Sequence, residues 1–340
     1  MSASAFDSSA LAEYLRAEGL IGTGQLEISQ LSGGQSNPTY RLSAGHWQAV
    51  LRTKPPGVLL SSAHAIDREY RVMQALKPCG IPVPKMLTYC KDLAILGREF
   101  YLMEFMEGRV FVDQSLPGLS RAERAAMYDD MNHVIAALHA VQPSTAGLSD
   151  YGKAGSYFER QVSRWSRQCR ESAGALPQAM LSLMDWLPQN IPAGDETTVV
   201  HGDFRMDNLV FHPKEPRVIA VLDWELSTLG HPLADFSYQC LSWHIPASLW
   251  RGVAGLELET LGIPDEKSYV ARYLQRTGRA LDGPWNFYIA YNLFRIAAIL
   301  HGIGERARAG NAAAADAMEN AARVQPLAEI GWAVAQGNTL

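Results

Sequence analysis

Two short motifs separated by an apolar run constrain this chain more than any other feature of its sequence. Residues 201–208 are His-Gly-Asp-Phe-Arg-Met-Asp-Asn, and Asp-Trp-Glu follows at 223–225. The apolar run Val-Ile-Ala-Val-Leu just before the second motif predicts a buried strand that ends there. In phosphoryl transfer, the Asp of Asp-x-x-x-x-Asn accepts the proton of the attacking hydroxyl, and the Asn binds magnesium. We therefore predict Asp203 as the catalytic base, and Asn208 and Asp223 as magnesium ligands.

These motifs resemble the catalytic loop and the metal-binding motif of protein kinases, with His-Gly-Asp in place of His-Arg-Asp and Asp-Trp-Glu in place of Asp-Phe-Gly. The segment Gly-His-Pro-Leu-Ala-Asp at 230–235 makes the chain more similar to the aminoglycoside phosphotransferase and choline kinase family. Leu-Arg-Thr-Lys-Pro-Pro-Gly at 51–57 looks closest to the kinase-like domains related to some acyl-CoA dehydrogenases. The resemblance covers nearly the whole chain. It implies that Asp235 ties the catalytic loop down.

The resemblance also implies an α+β, protein-kinase-like fold with two lobes. The nucleotide-binding lobe, residues 1–106, is expected to contain an antiparallel sheet and one key helix. The catalytic and substrate-binding lobe, residues 107–340, is expected to be mostly helical. Patterns of apolar residues agree with this plan. They predict strands at 26–31, 39–42, 47–51, 86–89 and 100–106, and helices at 62–76, 120–140, 234–243, 265–277, 285–301 and 312–324.

Arg52 ends the third predicted strand. The resemblance places it where a kinase has the lysine that holds the α- and β-phosphates, and the planar fork of an arginine can bind two phosphate oxygens. Lys54, two residues later, is the rival for this role. Glu69 lies in the helix predicted at 62–76, and the kinase plan makes it the carboxylate that holds Arg52 in place.

Other nucleotide contacts are expected from a turn and from a strand end. The Gly-rich turn 32–37 lies where kinases fold a hairpin over the phosphates, so Ser36 and Asn37 are candidate phosphate donors. A Gly-Gly hairpin taken by itself is a plain tight turn. The resemblance further implies that the adenine ring contacts the backbone near Glu104 and Met106.

The catalytic loop contains one further candidate. Arg205, two residues after Asp203, is in the position where protein kinases carry a catalytic-loop lysine. The resemblance therefore implies that Arg205 offsets the negative charge on the transferred phosphoryl group. His201 is predicted to support the loop, whereas His133 and His139 are predicted to be ordinary helix residues.

Composition excludes several classes of protein. The formal net charge of -5 argues against a general nucleic-acid binder. The four cysteines form no Cys-x-x-Cys pair, so neither a zinc site nor a disulfide framework is indicated. Residues 1–20 are acidic where a signal peptide would be basic, and no apolar run approaches the roughly 18 residues of a membrane helix. We expect a cytoplasmic protein without a nucleic-acid or membrane partner.

These residues predict an enzyme that uses ATP and Mg²⁺ to transfer the γ-phosphate to a hydroxyl group of a small molecule, with a hydroxyacyl-CoA as one candidate acceptor. A nucleotide-binding pseudokinase is an alternative, because the kinase lysine and the Gly-x-Gly-x-x-Gly loop are missing. An aminoglycoside- or choline-type kinase is another. A metal-dependent hydrolase using His201 is a third, although a second clustered histidine ligand is lacking. The sequence leaves the acceptor, the choice of ATP or GTP, and the oligomeric state open.

Overall fold

The computed structural model describes residues 8–31, 37–55, 65–281, 283–308 and 317–337. The chain forms two compact units. Unit 1 consists of Met1–Gly108 and the returning segment Ile219–Glu225, and unit 2 of Arg109–Val218 and Leu226–Leu340. The second acidic motif therefore belongs to unit 1, although it follows the catalytic loop in sequence.

Unit 1 is built on a five-stranded antiparallel sheet. Its strands are β1 (Glu27–Gln30), β2 (Thr39–Ala44), β3 (Trp47–Thr53), β4 (Met86–Cys90) and β5 (Phe100–Glu104), in the order β1-β2-β3-β5-β4. The predicted strands are all present. However, the strand predicted at 100–106 ends at Glu104, two residues earlier than predicted.

Both faces of this sheet are covered, and the alternation of side chains along β3 decides what each face contains. Leu51 pairs with Leu102 and belongs to a core that includes residues of helix α1 (Ser8–Ala17). Arg52 pairs with Tyr101 and, being the next residue, faces the opposite side. There it meets helix α2 (Ile66–Leu76). The short helix α3 (Leu93–Leu96) completes the unit.

Unit 2 is mostly helical. Helix α4 (Arg121–Ala140) begins with a capping box, in which Ser120 and Glu123 each accept a hydrogen bond from the other's backbone N–H. The helices are α4 (Arg121–Ala140), α5 (Tyr157–Arg170), α6 (Gln178–Trp186), α7 (Pro232–Cys240), α8 (Leu258–Leu261), α9 (Glu266–Thr277), α10 (Trp285–Arg308), α11 (Ala317–Ala322) and α12 (Val324–Ala335). The short strands are β6 (Thr198–Val200), β7 (Leu209–Phe211), β8 (Val218–Val221, at the boundary of the units) and β9 (Thr228–Gly230), with β6 antiparallel to β9. The sheet of unit 1 and the helices of unit 2 confirm the α+β class.

Two helical predictions differ from the structure. The segment predicted as one helix at 312–324 lies partly outside the described residues, and its described part contains α11 and the first residue of the separate helix α12. Helix α10 is also longer than predicted and is apolar enough to pass as a membrane span by composition. Because 83% of its most apolar window is buried inside the protein, α10 behaves as a core helix.

Candidate active site

The cation of unit 1 is surrounded by carboxylates. Arg52, only 8% exposed, places Nε 3.2 Å from Glu69 Oε2 and donates from Nη2 to Asp223 Oδ1 at 2.9 Å. Glu225 Oε2 lies 3.7 Å from the same Nη2. The ion pair of Arg52 with Glu69 that the sequence predicted is thus present. One guanidinium faces three carboxylates, so the cluster carries an excess of negative charge when all three are ionised.

Glu69 is the buried member of this cluster. Asn37 Nδ2 donates to its Oε1 at 2.9 Å, and the Tyr101 hydroxyl donates to its Oε2 at 3.0 Å. Burial raises the pKa of Glu69 to about 7; Arg52 opposes this shift, whereas Asp223 and Glu225 add to it. For Arg52 itself, burial lowers the pKa, but Glu69, Tyr101 and Asp223 together outweigh burial, and the net shift is upward. The guanidinium is therefore always charged, and the protonation of the cluster depends on Glu69.

Asp223 occupies a strained backbone position. Its φ is +65°, in the left-handed region that Asp tolerates better than most residues, and its side chain is 35% exposed. Such a conformation costs on the order of 1–3 kcal/mol and persists where the surrounding structure imposes it. Trp224, which follows it, is buried and donates from its indole nitrogen to Val221 O at 2.9 Å. This anchor holds the turn that presents the Asp223 carboxylate.

The other predicted nucleotide contacts have mixed outcomes. Ser36 lies outside the described residues. Asn37 is fully buried with its amide nitrogen on Glu69, so the structure uses it to hold the carboxylate rather than as an exposed phosphate donor. Lys54 is paired with Glu99 Oε2 at 2.5 Å.

The residues predicted to lie beside the adenine ring are at the end of β5. The backbone N–H of Glu104 donates to Lys85 O at 2.9 Å, and its carboxylate accepts from Lys85 N at 3.2 Å. Met106 follows β5 and is half-buried. The Glu104 N–H is therefore already used within the protein, and a ring contact there would have to use other backbone groups of the segment.

Unit 2 contains the catalytic loop. Asn208 Nδ2 donates to Asp203 Oδ2 and to Asp203 O, both at 2.9 Å, so the two residues predicted by their spacing do meet. Both bonds use the amide nitrogen and leave the amide oxygen for a cation. Arg205 Nε donates to Asp203 Oδ2 at 3.1 Å, and its Nη1 lies 3.2 Å from Asp207 Oδ2. Arg205 is thus next to the predicted base.

The loop is held by a buried carboxylate, as the sequence predicted. Asp235, 3% exposed, accepts from His201 N at 2.7 Å and from Gly202 N at 2.8 Å. Its Oδ2 also contacts His139 Nε2 at 3.2 Å, and His139 Nδ1 is 2.7 Å from the Tyr273 hydroxyl. Burial alone would raise the pKa of Asp235, but the hydrogen bonds that it accepts from His139 and from the His201 backbone lower it below the ordinary value. The carboxylate stays ionised and fixes the backbone just before Asp203.

His139 is therefore more than the ordinary helix residue that the sequence predicted. Burial lowers its pKa, so the ring is neutral at physiological pH. Because Asp235 is ionised, Nε2 must carry the ring proton and Nδ1 accepts from Tyr273. Sequence reasoning missed this role because a histidine on a helix face carries no local mark of a partner that is 96 residues away.

A buried arginine, which sequence reasoning also missed, holds the loop from the other side. Arg295 of α10 is 7% exposed, and its Nη2 donates to Gly202 O at 2.7 Å. Gly202 has a φ of +83°, and a Cβ added there would lie 2.6 Å from Leu226 O. The position thus requires glycine for both its conformation and its space. Asp203 follows a residue whose N–H and C=O are both held by charged side chains.

A cleft that is open to solvent adjoins the loop within unit 2. Arg205 and Tyr238 line it, and the Tyr238 hydroxyl lies close to Asp203. Burial raises the pKa of the Tyr238 hydroxyl, and the charge of Asp203 raises it further, so this group stays protonated. The cleft is a candidate acceptor pocket because two of its lining residues, Arg205 and Tyr238, interact with the predicted base.

The chemistry of the predicted metal ligands suits magnesium. Asn208 of unit 2 has an amide oxygen and Asp223 of unit 1 has a partly exposed carboxylate, and each is a hard oxygen ligand. Within the described ranges, no group of three or more His, Cys, Asp or Glu side chains is placed to hold a metal ion.

Comparisons with known proteins agree with the motifs. The model of a family described as the phosphotransferase enzyme family matches residues 27–283. A crystal structure from Ralstonia eutropha, whose proposed assignment is an aminoglycoside phosphotransferase, is 52% identical, with a TM-score of 0.90 over 98% of this chain and 100% of that one. Choline kinase from Cryptosporidium parvum is 13% identical, with a TM-score of 0.67 over 97% of each chain, and shows the shared kinase-like fold.

A longer curated relative is similar over almost the whole chain. Acyl-CoA dehydrogenase family member 11 of Rattus norvegicus is 46% identical over 334 residues, which is 96% of this chain and 43% of the relative. The chain thus spans less than half the length of that protein. These comparisons confirm both the family resemblance and the protein-kinase-like fold that the motifs predicted.

Proposed function

Since the chain belongs to the phosphotransferase enzyme family, we propose that it is a small-molecule kinase that transfers the γ-phosphate of ATP to a hydroxyl group. The observation that supports this most is the geometry of the catalytic loop. Asp203 and Asn208 are joined by two hydrogen bonds, and the backbone before Asp203 is held by Asp235 and Arg295. A base held on a rigid loop is what in-line transfer needs.

In the proposed reaction, the acceptor oxygen forms a bond to the γ-phosphorus while the bond from that phosphorus to the β,γ-bridging oxygen breaks, and ADP leaves. The hydroxyl proton passes to Asp203. Arg205 lies 3.1 Å from Asp203 Oδ2, so its charge is close to the transferred group and offsets the negative charge there.

Arg52 is proposed to hold the α- and β-phosphates. It is the cation that Glu69 orients, whereas Lys54 is engaged by Glu99. An arginine that already contacts two carboxylate groups presents a planar fork that suits phosphate oxygens. Asp203, Asn208 and Asp223 are all present. This favours an active kinase over a pseudokinase, although an arginine replaces the kinase lysine.

Asn208 and Asp223 would hold Mg²⁺, which when bound neutralises charge on the nucleotide phosphates. We expect Asp223→Ala to weaken magnesium-dependent nucleotide binding by roughly tenfold or more, because it removes the only charged member of this pair. Titrating Mg²⁺ against ATP binding by calorimetry measures this effect. Glu225→Ala is the matched control, since Glu225 contacts the same arginine at a longer distance. A normal magnesium titration for Asp223→Ala would remove it from the metal site.

We further propose a hydroxyacyl-CoA as the acceptor. The support is that the curated relatives sharing about 45% identity with the chain are described as acyl-CoA dehydrogenase family members. A kinase acting on a hydroxyacyl group would alter the same class of thioester on which a dehydrogenase acts. The cleft beside Arg205 has an apolar lining that includes Leu241, Ile245 and Ile296, which suits an acyl chain.

Turnover of ATP to ADP tests the function. The purified chain is incubated with MgATP and a panel of hydroxyacyl-CoAs, aminoglycosides, choline, ethanolamine, homoserine and sugars, and phosphorylated products are identified by mass spectrometry. We expect acceptor-dependent turnover that Asp203→Asn abolishes. Binding of MgATP without product for any acceptor would favour a pseudokinase, and a hydrolysed acceptor without ADP would favour a hydrolase.

A further inference from the structure

The walls of the candidate acceptor pocket carry positive charge. Two charged side chains line the cleft, Arg205 and Arg251, and both are arginines. Much of the remaining lining is apolar, including Leu241, Ile245 and Ile296. The carboxylates that contact the arginines, Asp203 and Asp207, are not among the lining residues, so a ligand in the cleft meets the cations first.

The two arginines are held together by a single carboxylate oxygen. Arg251 Nη2 lies 3.1 Å from Asp207 Oδ2, and Arg205 Nη1 lies 3.2 Å from the same atom. The Asp207 side chain is 9% exposed, whereas the side chains of Arg205 and Arg251 are 23% and 31% exposed. One carboxylate group therefore keeps two partly exposed guanidiniums close to each other. Their donors can also serve an oxyanion that enters from the cleft.

Trp250 is a further residue that positions Arg251. The guanidinium of Arg251 lies over its ring, 5.1 Å from the centroid, and that of Arg323 lies 5.9 Å from it. An aromatic ring that contacts two guanidiniums helps to orient both of them without neutralising either. The residue Arg251 also has a φ of +39°, so its backbone is held in the left-handed region by its surroundings. The neighbouring residues thus fix the orientation of the Arg251 side chain.

We propose that Arg251, positioned by Trp250 and Asp207, binds an anionic group of the acceptor and so determines which hydroxyl compounds are phosphorylated. The inference rests on the proposed kinase function and specifies its acceptor as an oxyanion-bearing molecule. The anionic group is a carboxylate or a phosphate, both of which match the guanidinium fork. Cationic acceptors such as aminoglycosides and choline are disfavoured, because they would place like charge against two arginines.

A neutral contact in the same cleft adds to the selectivity. Gln239, 5% exposed, lines the cleft, and its amide nitrogen bonds the Tyr269 hydroxyl. Its amide oxygen has no hydrogen-bond partner among the described residues. Exchanging the two ends of the amide would leave the nitrogen without a partner instead, so one polar end remains for the acceptor in either orientation. A buried polar group of this kind favours a ligand that supplies a hydrogen bond.

Steady-state kinetics of the full chain with MgATP test the inference. The acceptor probes are 3-hydroxybutyryl-CoA, 3-hydroxybutyrate, choline and kanamycin, and the variants are Arg251→Gln and Arg251→Lys. We expect Arg251→Gln to raise KM for the anionic acceptor by about tenfold or more with a smaller change in kcat, and Arg251→Lys to restore part of the loss. Arg272→Gln is the matched control, because Arg272 is an exposed arginine of α9 that pairs with Asp129.

The outcomes separate this inference from the function on which it rests. An effect seen with 3-hydroxybutyrate alone assigns Arg251 to the carboxylate, which the thioester lacks, and an effect with the CoA thioester alone assigns it to the CoA phosphates. Phosphorylation of choline or kanamycin but neither anionic probe would leave the kinase function intact and overturn the inference. An unchanged KM in Arg251→Gln would overturn it as well.

If no probe is phosphorylated, a binding measurement decides whether the anion site exists. Calorimetric titration of wild type and Arg251→Gln with 3-hydroxybutyryl-CoA does not depend on turnover. Binding that is lost in the variant but retained in Arg272→Gln would support the anion site while the kinase function failed. Absence of binding in the wild type would overturn both the site and its acceptor class.

Discussion

The charged groups of unit 1 and unit 2 are held in different ways. Around Arg52, side chains hold side chains, and one guanidinium faces three carboxylates. Around Asp203, buried charged side chains instead hold the backbone of the loop, through Asp235 and Arg295. The first arrangement has an excess of negative charge, and a ligand can change which of its groups pair with each other. The second leaves little freedom, because a backbone tied at both its N–H and its C=O cannot follow a ligand.

This contrast suggests a division of labour. A site for highly charged phosphates gains from groups whose pairing can shift when the ligand and its cation arrive. A catalytic base gains from being preorganised, since a displacement of about 1 Å can cost on the order of a hundredfold in rate. The following experiments test that division, beginning with the largest expected effect.

Removing the base should have the largest effect. We expect Asp203→Asn to lower kcat by about 10²–10⁴, the usual contribution of general base catalysis, while ATP binding in unit 1 stays normal. Asp129→Asn, a half-exposed carboxylate paired with Arg272 and Arg276, is the control. Comparable turnover in Asp203→Asn and wild type would show that the loop has another task.

Loosening the loop should come next. In Asp235→Asn, an amide replaces the carboxylate that accepts from His201 N, Gly202 N and His139, so one donor must face another donor. Breaking such a buried charged network costs about 3–5 kcal/mol. Urea denaturation measures the lost stability, and kcat should fall with KM for ATP nearly unchanged. A fall in ATP affinity with normal kcat would contradict the proposed division between the units.

Replacing the phosphate-binding cation should have an intermediate effect. The single nitrogen of a lysine cannot contact Glu69 and Asp223 as the Arg52 fork does. We expect Arg52→Lys to weaken ATP binding by roughly 10- to 100-fold. Lys54→Gln, which removes the rival cation, should change ATP affinity much less because Lys54 is paired with Glu99. The reverse order of effects would assign the phosphates to Lys54.

The smallest effect concerns pH. The pKa of Glu69 is raised from the ordinary 4.5 to about 7 by burial, so the neutral form stabilises the fold relative to the ionised form. This contribution is fully present below about 4.5 and is lost as pH rises through about 7. The stability of wild type relative to Glu69→Gln should therefore fall over this window, by at most about 1.4 kcal/mol per pH unit. Urea denaturation of both proteins at pH 5, 6 and 7 measures the difference.

In Glu69→Gln the neutral state is permanent, so general effects of pH on the two proteins cancel in the comparison. A difference that does not change with pH would mean that Arg52, Asn37 and Tyr101 keep Glu69 ionised throughout. The cluster would then be a preformed ion pair, and the contrast with the catalytic loop would be smaller than we infer.

The sequence anticipated contacts in which the partners are near in the chain or belong to a recurring motif. Asp203 and Asn208 meet because five residues of one loop separate them. Arg52 and Glu69 meet because a strand and the helix after it place them on facing sides, as the family plan implied. The strand predicted at 100–106 ended early, at Glu104, where apolar character continues but sheet pairing stops.

Other contacts had no local signal. Arg295 is one more residue in an apolar helix, and nothing near it in sequence indicates that it donates to Gly202 O, 93 residues away. Likewise, nothing in the sequence near His139 indicates its contact with Asp235. Asn37 looked like a phosphate donor in a Gly-rich turn, but it is buried against Glu69. A buried polar group finds its partner only when the surrounding elements have packed, so composition and periodicity cannot specify it.

The amino-acid sequence by itself determined the fold class and the family of this protein, because motif spacing and apolar periodicity are local properties. It also predicted roles for Asp203, Asn208 and Asp223. Only the tertiary structure decided which groups support these residues, that Lys54 is engaged elsewhere, and that Arg251 and Arg205 line one cleft. The physical reason is that burial and charge pairing depend on distances in space between residues far apart in the chain, and folding alone brings those residues together.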